Sequence, residues 1–71
     1  MIENNQGLSP PENWPEWVRW LAQDADGGWW GYEAEPNLAD GCWYENEVGR
    51  VVALGRGAAN PEWRRSLRRR V

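Results

Sequence analysis

The sequence predicts a mainly β, α+β domain: a small antiparallel meander of three to four strands followed by a short C-terminal helix. Three observations carry that expectation. Turn-forming residues recur at Asp26-Gly27, Asn37 to Gly41 and Asn46 to Gly49. The stretches between them are rich in Trp, Tyr and Val, which suit a pleated, half-buried surface. Finally, Asn60-Pro61-Glu62 has the residue types that open a helix: a cap, a first-position proline and an acid at the positive end of the dipole.

Residues 1–13 are polar and contain Pro10-Pro11, so they are expected to form a flexible or extended lead-in to one small domain over 14–71. Trp14 to Ala22 is ambiguous. Trp14, Trp17, Val18 and Leu21 fall at helical spacing, whereas Val18, Trp20 and Ala22 alternate as on a strand. Pro15 and the nearby Asp-Gly turn favour a strand over 17–24, paired as a hairpin with a strand over 29–35 that Pro36 closes. Cys42-Trp-Tyr-Glu45 is a short third strand and Arg50 to Leu54 a fourth, ended by Gly55-Arg-Gly57. A helix to about Arg69 would turn Trp63 and Leu67 toward the sheet and Arg64, Arg65, Arg68 and Arg69 outward.

Seven Trp and two Tyr are a large aromatic load for 71 residues. A buried aromatic removes roughly 150 to 250 Å² from water, and a chain this short leaves much of its surface exposed. Some rings are therefore expected on a ligand surface or a subunit interface, and a homo-oligomer is expected. Strand alternation suggests Trp20, Trp30, Tyr32, Val52 and Leu54 for the core, with Trp17, Arg19, Trp29 and Trp43 on the other face.

The net charge is −3 and every basic residue is Arg, a bias that a GC-rich genome would produce without any function. The charge is divided: residues 1 to 60 hold ten acids against three Arg, and residues 61 to 71 hold five Arg against Glu62. An acidic body opposes binding to a phosphate polymer, so nucleic acid is not an expected partner. With a single cysteine, Cys42, no internal disulfide can form, which suits a reducing cytoplasm. The N-terminus has neither a basic start nor an apolar run, and no stretch approaches the roughly 20 apolar residues of a membrane span.

Catalysis has little support, because the chain has no His and no Lys to serve as base or Schiff-base nucleophile. Neither a metal nor another cofactor is expected. Asp24, Asp26 and Glu35 imitate the start and end of a calcium loop, but Trp29 stands where that loop needs glycine. Binding is the better expectation. Aromatic planes can stack on a base and Arg forks can neutralise phosphate, which nominates Trp17, Arg19, Trp29, Trp43, Arg64, Arg65 and Arg68 as ligand-binding residues. A protein partner fits the same composition, since Trp, Tyr and Arg are enriched at interface hot spots.

The run from Ala22-Gln-Asp-Ala-Asp-Gly to Tyr32-Glu-Ala-Glu-Pro36, then Trp43, then Asn60-Pro-Glu-Trp-Arg-Arg-Ser-Leu67, resembles small proteins encoded by tailed phages and prophages. These share an Ala-x-Asp-x-Asp-Gly start, an aromatic Tyr-Glu-x-x-Pro strand, a later Trp and a closing Asn-Pro-x-Trp-Arg-x-Ser-Leu. The resemblance covers about residues 14 to 67 and implies a phage context and a compact β fold. By analogy with that context, the expected role is anti-defence: sequestering a nucleotide-like immune signal, or inhibiting a host defence enzyme or nuclease through an aromatic, acidic surface.

Overall fold

The computed structural model describes residues 13–70, so the expected lead-in over 1–13 falls, apart from Asn13, outside the described residues. The fold is mainly β. Strands β1 (Trp20–Gln23), β2 (Gly28–Tyr32) and β5 (Val51–Arg56) form an antiparallel meander, and β6 (Arg68–Arg69) joins the free edge of β1, giving the order β5-β2-β1-β6. Two shorter strands, β3 (Asn37–Leu38) and β4 (Trp43–Tyr44), pair with each other as a separate ribbon. The third expected strand therefore leaves the main sheet and covers it. No helix among the described residues is long and apolar enough to cross a membrane.

The hairpin at the centre of the sheet is shaped by its turn. The Asp24 N–H donates to the Gly28 carbonyl at 2.8 Å, the Gly27 N–H to the Asp24 carbonyl at 2.9 Å, and the Gly28 N–H to Asp26 Oδ1 at 2.9 Å. Gly27 takes a φ of +97°, which side chains disfavour. The register then pairs Trp20 with Tyr32, Ala22 with Trp30, Leu21 with Gly31 and Gln23 with Trp29. Upstream, the Val18 N–H reaches the Pro15 carbonyl at 3.1 Å. Trp17 thus sits in a turn rather than on the expected strand.

Both sheet faces are covered, which sequence alternation alone does not reveal. On one face Ala22, Tyr32, Trp43 and Trp63 form a buried cluster, joined by Trp20, Trp30 and Val51. The opposite face carries Val18, Leu21 and Trp29, joined by Trp14, Trp17, Val52 and Leu54. Trp20, Trp30 and Tyr32 share a face as expected. Val52 and Leu54 belong instead to the cluster of Trp29. A bulge between Trp29 and Trp30 places Leu54 as the extra residue of β5.

The expected C-terminal helix is a single 3-10 turn, Trp63–Arg65. Asn60 does act as a turn cap, its Oδ1 accepting the Glu62 N–H at 2.9 Å. The helix stops because the open edge of β1 captures the chain at Ser66, where an unpaired strand edge would otherwise leave buried backbone groups unsatisfied. The Ser66 hydroxyl accepts the Gln23 N–H at 2.8 Å and donates to the Trp63 carbonyl at 2.7 Å. Pairing then continues through Arg68 and Arg69.

Gln23, completely buried, ties the ends of this crossing together. Its amide nitrogen donates to the Gly27 carbonyl at 3.1 Å and the Ala58 carbonyl at 3.3 Å, and its oxygen accepts from Asn60 Nδ2 at 3.0 Å. The Gly-rich linker passes against the hairpin tip, where the Gly57 N–H meets the Gly27 carbonyl at 2.8 Å. Asn60, Trp63 and Ser66 of the closing motif are all buried, so the motif has an architectural role.

Candidate functional site

Half of the eight arginines lie on the protein's own rings. Guanidinium groups of Arg50, Arg64, Arg69 and Arg70 stand 4.6, 4.6, 5.5 and 4.4 Å from the ring centres of Trp17, Trp63, Trp20 and Trp14. Each pair shields an indole face and keeps its charge in water, a favourable cation–π arrangement. Arg70 also donates to the Glu16 carbonyl at 2.7 Å and the Val18 carbonyl at 3.2 Å, pinning the segment before β1. Of the nine aromatic residues, Tyr44 alone among those described is more exposed than buried. Trp14, Trp17, Trp20 and Trp30 are half-buried against the two clusters.

The residues nominated for nucleotide binding are not brought together. Trp29 is 2% exposed and Trp43 8%, in clusters on opposite faces of the sheet, so neither offers an open stacking plane. This corrects the alternation-based assignment, which assumed that one face was solvent. Trp17 lies under Arg50. Arg19 is exposed, its backbone N–H paired to the Tyr32 carbonyl at 2.9 Å. Arg64 rests on Trp63 and donates to the Asp40 carbonyl at 3.1 Å. Arg65 pairs with Glu62 at 3.6 Å on open surface, while Arg68 projects from β6, exposed.

Arg50 also grips Glu33. The carboxylate accepts the Arg50 backbone N–H at 2.9 Å, Nε at 3.1 Å and a terminal nitrogen at 3.0 Å. These side-chain bonds first, then the backbone bond, hold Glu33 down to about 2. A carboxylate lowered on folding adds stability above its ordinary value of 4.5, and that stability is lost as pH falls toward about 2. Asp24, raised by burial, works in the opposite direction. The comparison with Glu33→Gln isolates the pair: the wild type should lose melting temperature more steeply than the variant between pH 4.5 and 2. Parallel curves would show that the pair contributes nothing.

The most distinctive concavity lies between the β3–β4 ribbon and the Trp30 face of the sheet. This open depression of about 260 Å³ is lined by Trp30, Tyr32, Trp43 and Tyr44 together with Asp24 and Glu45. Asp24 is fixed by the Trp43 N–H, which donates to Oδ1 at 2.8 Å. Burial raises the Asp24 carboxyl, against hydrogen bonding from Trp43. Tyr32 is pushed well above its usual range by burial first, then by the charges of Asp24, Cys42 and Glu45, so its hydroxyl stays protonated. A neighbouring concavity of about 410 Å³ shares Tyr44 and Glu45 and adds Asn37, Asn46, Glu47 and Val48. The Asn46 amide links the loops around it, donating to the Glu35 carbonyl and accepting from Asn37 Nδ2 at 3.1 Å.

Sequence reasoning nominated Trp43 as a binding residue but set it on the face opposite Trp30 and Tyr32, with which it packs, and it did not nominate Asp24, Tyr44 or Glu45. The available signal was the set Leu38, Tyr44 and Val48, apolar residues scattered through a polar, acidic stretch, and these are the exposed large hydrophobics of the described chain. Among the described residues no group of three or more His, Cys, Asp or Glu could hold a metal ion. No protein-family model matches this chain, and no curated protein or solved structure matches it either.

Proposed function

We propose that this chain is a non-enzymatic binding protein that docks the aromatic, acidic face built on the β3–β4 ribbon against a basic surface of another protein. In the phage context implied by the resemblance, the partner is a host defence enzyme or nuclease in the cytoplasm, and the chain is its inhibitor. The observation that carries this reading is the placement of exposed Tyr44 and Val48 beside Glu45 and Glu47. Apolar anchors within a single-sign rim are what a charge-steered protein interface requires. A phosphorylated ligand needs an open ring beside an open guanidinium, whereas no basic residue lines either concavity on this face.

Affinity capture at low and high salt, repeated with a Tyr44→Asp, Val48→Asp double variant, tests the proposal. One partner should be retained by the wild type, weakened by salt and lost with the variant. Retention by the variant, or binding of a signalling nucleotide by the wild type with no protein captured, would end this reading. Sedimentation at micromolar concentration covers self-association: a dimer abolished by the same variant would assign the face to a second copy.

A further inference from the structure

We infer that the concavity between the β3–β4 ribbon and the sheet is a receptor for an arginine side chain presented by the partner protein. The inference rests on the docking reading above and names the residue type that the face recognises. At about 260 Å³ the site is smaller than the roughly 300 to 1,000 Å³ of pockets that take drug-sized ligands. It suits one extended side chain better than a base, ribose and phosphate together.

Its chemistry selects a cation. Half-buried Trp30 and exposed Tyr44 supply the accessible rings, buried Tyr32 and Trp43 back them, and Asp24 and Glu45 supply two carboxylates with no basic side chain among the lining residues. A phosphate placed here would meet both negative charges. A planar guanidinium can stack on a ring while its nitrogens fork toward a carboxylate, whereas a lysine ammonium is a compact charge that holds its water more tightly. The chain itself favours this pairing, with guanidinium groups 4.4 to 5.5 Å from its own Trp rings. Tyr32, raised by burial first and then by the charges of Asp24 and Glu45, lines the same concavity as both carboxylates.

The test uses Nα-acetyl-arginine methylamide and its neutral citrulline counterpart, titrated at constant ionic strength into isotopically labelled full-length protein. The Trp30 indole and Tyr44 ring signals should move with the arginine probe and saturate, while the Trp29 signal on the opposite face stays in place. Citrulline should bind at least about tenfold more weakly, the scale of a desolvated cation–π contact. Tyr44→Ala and Glu45→Gln, both at exposed positions, should each weaken the arginine probe by about threefold to tenfold while leaving the rest of the spectrum native. Equal binding of both probes, or no saturable shift at Trp30, overturns the receptor. If a partner is nonetheless captured and lost with the charge-substituted face, the docking surface stands without it.

Discussion

Trp29→Ala should lose about 3 to 5 kcal/mol of stability, the usual cost of emptying a buried aromatic site. A domain of this length holds roughly 4 to 10 kcal/mol in all, so the variant should lose a large share of its stability and melt far below the wild type. The ring is 2% exposed and packs with Val18 and Leu21 under the segment that Arg70 pins. Trp29→Phe separates packing from polarity. The indole Nε1 is buried with no acceptor, so the phenyl ring gives up volume without breaking a hydrogen bond, and most of the stability should remain. Denaturant melts of the two variants check this. A Trp29→Ala protein that melts like the wild type would return this residue to the ligand surface.

Gly27→Ala should be comparably damaging, at about 2 to 4 kcal/mol, because two costs act at one position. Its φ of +97° is strained for any side chain, and a Cβ would stand 2.2 Å from the Gly57 carbonyl oxygen and 2.9 Å from the Ala58 carbonyl. Both neighbours are backbone, so relief requires moving the linker, and with it the Gly57 bond to Gly27 and the Gln23 bonds to Gly27 and Ala58. Gly41→Ala is the control: a Cβ there meets nothing within 4 Å. Thermal melts should place Gly41→Ala near the wild type and Gly27→Ala far below it. Similar melts would mean that the linker does not pack against the hairpin tip.

The hairpin was legible because its signals are local. Asp26-Gly27 sets the turn, and the aromatic run after it has no better conformation than a strand. What stayed hidden depends on contacts distant in sequence. Nothing in Trp17 to Gln23 announces that the face carrying Trp29 is roofed by the residues just before it. Nor does Arg64 to Arg69 announce that Ser66 will replace a helical turn with strand pairing. Periodicity identified Trp63 as inward-facing but could not separate a 3-10 turn from a longer helix, since Trp63 and Ser66 are three apart and both buried. At the candidate site, Trp43 stood out by residue type. Asp24 and Glu45 became partners only when the ribbon folded over the sheet.

The crossing of the Gly-rich linker from β5 to β6 also sets an order of assembly. The β1–β2 hairpin closes over a short turn, whereas the β1 edge is completed by Arg68 and Arg69, across a separation roughly ten times longer whose closure costs about 2 kcal/mol more in chain entropy. The hairpin is therefore the natural nucleus and β6 the late arrival. Contacts that form after the transition state control how fast the native state is lost rather than how fast it is reached. The Gln23, Asn60 and Ser66 network is therefore expected to act as a latch, its loss speeding unfolding more than it slows folding.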